Sequence, residues 1–222
     1  SPRPVEAEKV GRMLEAARWS PSCANRQPWR FVVVGAESPS RRAVEEALDP
    51  GNSWARRAPV LVVAGSRRED GGVVESREYF LHDTGMALMS LLYRGVDQGL
   101  LVHPMAGWRE GALRAALGLP EEFVPMAVVA VGYPGKAEEL DEATRKKDGK
   151  ERTRKPLGEV AFSERFGEPY AERGPSSPAK AYQTDLQVRF GDTDAMGHVN
   201  NAKIITYLET GRMRFFADVV GA

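Results

Sequence analysis

A chain of 222 residues is long enough for one substantial core and part of a second. Its 31 lysines and arginines balance 31 aspartates and glutamates, so no overall field points to nucleic acid or to an anionic membrane. The single cysteine, Cys23, excludes an internal disulfide and suits a reducing cytoplasm, and the longest apolar runs, such as 127–131, are too short to span a bilayer.

The chain opens on Ser1-Pro2-Arg3-Pro4-Val5, which reads as the interior of a longer protein. Residues 5–19 then carry Val10, Met13, Leu14 and Ala17 at the spacing of one helix face, and Pro21 stops that helix. Residues 21–28 form a short polar loop bracketed by Pro21 and Pro28, and residues 31–34 have the β-branched, apolar look of a buried strand. Ser22, Asn25 and Gln27 crowd donors and acceptors into a segment too small to solvate them all. Such a set suits a flat, heteroatom-rich ligand, and it suits equally the capping of the helix and strand ends.

Ser38-Pro39 predicts an N-cap and first-turn proline for a helix to about residue 48, followed by a turn at 49–52. Residues 58–64 read as a second buried strand and 67–72 as a polar loop. The longest helix is expected at 76–98, where Phe80, Leu81, Ala87, Leu88, Leu91, Leu92 and Val96 make a stripe broad enough for a domain centre or a subunit interface. His82 on it has no metal-ligating partner at helical spacing and reads as structural. Residues 103–108 lead into a helix at 109–117, ended by Gly118 and Pro120, and 124–132 is the third expected strand. The charged stretch 136–155 has the composition of a solvated loop.

Linker composition follows at 173–181, and beyond it Tyr182, Thr184, Leu186, Val188 and Phe190 alternate with polar residues as in a strand. Then come Gly191-Asp192-Thr193-Asp194-Ala195-Met196-Gly197-His198-Val199-Asn200-Asn201 and a helix-like run from residue 202 to about 220. Taken locally, Asp192 and Asp194 could equally form an Asx turn ahead of that helix.

The run Ala16-Ala17-Arg18-Trp19-Ser20-Pro21-Ser22, continued by Asn25, Gln27-Pro28-Trp29 and Phe31, resembles the loop that opens the FMN site in the nitroreductase family. For residues 1–172 the resemblance implies an α+β fold, a sheet sandwiched between helices. It implies that Pro21, Ser22, Asn25 and Gln27 meet FMN, that the backbone at Ala106 and Gly107 forms a second flavin contact, and that Arg152 or Arg154 returns to the FMN phosphate. The family's Arg-Arg-Ser type of phosphate grip would lie just ahead of residue 1. A homodimer is implied, with the flavin at the subunit interface, as is a ping-pong cycle from NAD(P)H to a small acceptor such as a nitroaromatic or a quinone. Asp83 and Gly85 match an Asp-x-Gly common in the family, with no catalytic role assigned. No metal is expected.

The 191–201 run resembles the start of a hotdog-fold acyl-CoA thioesterase of the 4-hydroxybenzoyl-CoA type, in which Asp194 matches the catalytic aspartate. Residues 182–222 would hold that fold's first strand and helix alone, an incomplete fragment expected to be inactive toward acyl-CoA as it stands. The whole would then be a fusion. Two rival readings are that the thioesterase defines the biological role, and that the first domain is a flavin-free pseudo-oxidoreductase scaffold.

Overall fold

Val60 and Val62 point to one apolar cluster and Leu61 and Val63 to another, and this alternation generates a three-layer fold. The computed structural model describes residues 1–136, 138, 140, 142–149 and 151–170. In chain order its elements are α1 (Ala7–Arg18), β1 (Trp29–Gly35), α2 (Arg41–Ala47), β2 (Val60–Arg67), β3 (Val73–Val74), β4 (Arg77–Glu78), α3 (Phe80–Asp97), β5 (Leu101–Met105), α4 (Glu110–Leu117), β6 (Phe123–Gly132), α5 (Glu142–Asp148) and α6 (Leu157–Val160). Short 3-10 turns occupy Cys23–Asn25, Pro50–Arg57 and Arg68–Asp70.

The main sheet runs β1-β2-β6-β5, each neighbouring pair antiparallel. On one face Val60, Val62, Ala127, Val129 and Val131 pack with Val10, Met13 and Ala17 of α1 and Ala87 and Leu91 of α3. On the other, Leu61, Val63, Val128 and Ala130 pack with Val44 and Ala47 of α2, Leu113 of α4 and Ala55 of the 50–57 turn. The expected α+β sandwich of helix, sheet and helix is therefore present. β2 and β6 read as unbroken apolar runs because both of their faces are covered.

Several elements differ from expectation. The 31–34 strand is an edge strand: Phe31 and Val32 are half-buried and Val33 is 41% exposed. β5 was not expected at all. It is short, largely exposed and holds Pro104, which has no N–H to give a ladder and so belongs on the sheet edge where it lies. Ser38 is not the N-cap of α2, a position held by Ser40; its hydroxyl accepts from Gly35 N–H at 2.9 Å and closes the turn after β1. α3 starts at Phe80 because 73–78 turn back as the β3–β4 hairpin. The charged stretch after 136 is not all loop, since α5 lies within it. α4 ends as foreseen, with Gly118 left-handed at φ 60°.

Ser1–Glu151 is one compact unit, and the chain from Arg152 belongs to a second. In the second, a small turn is closed by Tyr170 N–H donating to Ala161 O at 2.8 Å, with the Phe162 and Phe166 rings 4.6 Å apart. The 173–181 linker and the expected strand and helix beyond it lie outside the described residues.

Candidate functional site

Three residues of the 21–28 loop lie in left-handed backbone without being glycine: Ala24 at φ 50°, Asn25 at 54° and Gln27 at 51°. Each such residue costs about 1–3 kcal/mol and persists only where its surroundings hold it. Here the holding contacts are specific. Cys23 N–H donates to Asp83 Oδ2 of α3 at 2.9 Å, and Gln27 N–H donates to Ser22 Oγ at 3.0 Å. Gln27 Nε2 donates to the Asn25 backbone oxygen and Oδ1 at 3.1 and 3.2 Å. At the far end Arg30 donates to Gln27 O at 3.0 Å and to Asp70 Oδ2 at 2.8 Å.

Pro21, Asn25 and Gln27 are exposed and Ser22 is half-buried, so the loop is a presented surface and not the cramped, unsolvated segment expected. Part of its polar capacity is spent on its own shape, in bonds within the loop and not in side-chain caps on the helix and strand ends. Ser22 Oγ accepts from the loop, which leaves its own proton to give elsewhere.

The second expected contact lies on the turn after β5. Gly107 O accepts from Asn52 Nδ2 at 2.8 Å and from Asp49 N–H at 3.2 Å, and the bridge between Leu48 and Trp108 ties this turn to the end of α2. A Cβ on Gly107 would stand 2.8 Å from Asp49 Oδ2 and 2.9 Å from Asn52 Nδ2. The ends of the Asp49 and Asn52 side chains thus occupy the space behind the glycine, and a larger residue would have to turn them aside. Among the described residues, neither Ala106 nor Gly107 gives its N–H to an acceptor.

Register places the two loops at one end of the sheet. Trp29 begins β1 opposite Ser66, Ser66 pairs with Val124 near the start of β6, and β5 runs toward that same end with Met105 opposite Val128. They stand at opposite edges, however, three strand spacings or roughly 14 Å apart across the sheet, with a further offset along the strands because Met105 is level with Val128 and Trp29 with Val124. Arg152 and Arg154 lie in the second unit, both exposed, with Arg154 donating to Thr153 O at 2.8 Å. Asp194 lies outside the described residues.

The Nitroreductase family model matches residues 1–133, more than half of the chain. The chain belongs to the nitroreductase family. A Thioesterase-like superfamily model matches residues 188–221. An uncharacterised 15.4 kDa protein from the ask 5' region of Mycolicibacterium smegmatis is 37% identical over 122 residues, 55% of this chain and 81% of that protein. An NADH dehydrogenase of Thermus thermophilus is 31% identical over 162 residues, 59% of this chain and 78% of the relative. A solved oxidoreductase containing FMN superposes with a TM-score of 0.68 at 31% identity, over 75% of this chain and 86% of that one.

On this nitroreductase fold the structure gives further residues a holding role. Asp83, Arg30 and Asp70 hold the first loop, and Asp49 and Asn52 cradle the second. The Asp-x-Gly match was the one available signal for Asp83. Nothing in the local spacing marks the other four. A second ordered feature borders the first loop: Trp19, 74% exposed, donates its indole N–H to Glu15 Oε1 at 2.7 Å, and Arg18 grips the same carboxylate at 2.6 and 2.8 Å. The Arg18 hydrogen bond, then that of Trp19, lowers the Glu15 carboxyl to about 2.

Asp70 is likewise held below its usual range, first by its hydrogen bond from Arg67 and further by the charges of Arg30 and Arg67, while burial opposes them. A carboxyl whose pKa is lowered by folding stabilises the folded state above its unfolded pKa of about 4 and loses that contribution as pH falls through the folded value. Asp70→Asn should therefore melt below the native chain at neutral pH, and the two should converge as pH drops below about 4. Thermal unfolding followed against pH checks this, and a constant gap between the two down to acid pH would contradict it.

Proposed function

We propose that the chain is an FMN-dependent oxidoreductase that draws reducing equivalents from NAD(P)H and passes them to a small acceptor such as a nitroaromatic or a quinone, working as a cytoplasmic homodimer. The observation that carries this reading is the 106–107 turn, where two N–H groups are left unspent among the described residues and the glycine is held by Asp49 and Asn52. Backbone donors fixed in advance are what a flat ring that gains negative charge requires. FMN, when bound, supplies the hydride-accepting ring that no side chain here provides.

The remaining residues bind and orient. The Ser22 hydroxyl and the exposed Asn25 amide offer hydrogen bonds from a loop whose shape is already set, which lowers the ordering cost of binding. Arg152 and Arg154 carry the forked guanidinium that suits a phosphate. The outer face of α3 supports the homodimer. Leu81, Met89, Tyr93 and Val96 are exposed along it, with Tyr93 at 67%, and an apolar helix face of this kind is a protein interface more often than a solvated surface. The FMN named for the solved oxidoreductase and the NADH named for the Thermus relative support the same cofactor pair.

The thioesterase-like match at 188–221 favours a second reading, in which Asp194 is a carboxylate directed at a thioester. Two arms of one experiment address both. The purified chain is mixed with FMN, desalted and scanned in the visible with and without NAD(P)H under argon, and the same sample is offered an acyl-CoA. Retained yellow that bleaches with nicotinamide is expected, with no thioester hydrolysis. A colourless protein would be scanned again with an Arg-Arg-Ser type stretch added ahead of Ser1, and flavin still not retained would remove the oxidoreductase reading in favour of the scaffold; hydrolysis lost in Asp194→Asn would establish the second.

A further inference from the structure

Asp83 is 1% exposed, and both of its carboxylate oxygens are engaged. Oδ1 faces His82 Nδ1 at 3.0 Å, and Oδ2 accepts from Cys23 N–H, sixty residues away, at 2.9 Å. Its neighbour Thr84 behaves otherwise, donating within α3 to Phe80 O at 2.6 Å. A buried carboxylate that reaches out of its own helix to one backbone N–H of an exposed loop has a task in that loop. We propose that Asp83 is the positioning residue of the flavin loop: braced by His82, it fixes residues 22–27 in the shape that presents Ser22 and Asn25 to the cofactor. This deepens, and rests on, the oxidoreductase reading above.

The site of attachment explains why one bond matters. Cys23 directly precedes Ala24 and Asn25, the first two left-handed residues, and a peptide able to rotate there would let both relax to extended backbone. Holding the Cys23 N–H removes that rotation. Packing acts from a second side, since a Cβ on Gly72 would meet the Cys23 sulfur at 2.5 Å, so the absence of one lets the cysteine seat there. Arg30 holds Gln27 O at the other end, so the loop is pinned at both of its ends. His82 is itself steadied by the Tyr79 ring, edge-on at 5.5 Å.

The test uses the full chain and reads the loop apart from the cofactor. By NMR, the native Cys23 amide should exchange at least about tenfold more slowly than that of Ala24, the protection of a charge-assisted hydrogen bond. In Asp83→Ala, exchange across 22–27 should quicken while β2 and β6 stay protected, and the Kd for FMN should rise about tenfold to a hundredfold. Asp83→Asn keeps an acceptor for Cys23 N–H and should stay within about threefold of native in both readouts. A lower melting temperature in Asp83→Ala with unchanged loop exchange and FMN affinity would overturn the proposal and leave the oxidoreductase reading intact. If the native chain binds no FMN even with an Arg-Arg-Ser type stretch added ahead of Ser1, yet Asp83→Ala loosens the loop selectively, the loop anchor stands and the oxidoreductase reading falls. Should Asp83→Ala fail to fold, the native chain decides alone: a Cys23 amide as fast as that of Ala24 overturns the proposal.

Discussion

Replacing Leu91 with alanine is expected to cost the first unit about 2–5 kcal/mol, a large share of the 5–15 kcal/mol by which a typical domain is stable. Leu91 is fully buried and lies in the cluster where α3 meets α1 and the sheet, among Met13, Ala87, Val62 and Val129. β2 and β6 are pinned by helices on both faces, so the cavity has little room to collapse and the cost should fall toward the upper end. Urea unfolding followed by circular dichroism, with an unchanged m-value, measures it. Tyr93→Ala, on the outer side of the same helix, is the control. It should leave the unfolding free energy of the separated chain within about 0.5 kcal/mol of native while weakening self-association in sedimentation. A Leu91 variant that unfolds at the native urea concentration would show that α3 is not the keystone of that layer.

The second large effect is expected at Gly107. Valine there would drive its Cβ against Asp49 Oδ2 and Asn52 Nδ2, so Asn52 must swing away from the Gly107 oxygen it donates to, or the turn must shift to keep that bond. Overpacking of this kind costs about 1–3 kcal/mol, and because the strain falls on the turn that presents the two unspent N–H groups, the Kd for FMN should rise about tenfold to a hundredfold. Quenching of flavin fluorescence on titration reads this directly. An unchanged Kd would separate the 106–107 turn from cofactor binding altogether. Asn52→Ala approaches the same point more gently, removing one of the two donors to Gly107 O, and should give a smaller loss of affinity.

Much of the architecture was legible because apolar runs report directly on burial. β2 and β6 stand out as continuous β-branched stretches, and α3 by its wide stripe. β5 was not legible, since an edge strand with Leu101 in solvent and a proline near its end has neither alternation nor a continuous apolar run to mark it. β1 was found but misjudged, because a β-branched run has the same appearance at the edge of a sheet as at its centre. The 21–28 loop could be located from Pro21, Pro28 and the polar residues between them. Its conformation could not, for that depends on Asp83 and Asp70, whose approach is fixed by tertiary packing. The same holds for Gly107, where the residue type suggested a close approach of backbone to ring and the structure places Asp49 and Asn52 against the missing side chain.

The width of the sheet between the Ser22 loop and the Gly107 turn has a thermodynamic consequence. If each cofactor takes the Ser22 loop from one copy and the Gly107 turn from another, ligand and subunit become mutual effectors. Whatever factor FMN adds to the association of two copies, association must add to the affinity for FMN. Measured cofactor affinity would then climb with protein concentration, and dilution would release the flavin without any change in the fold.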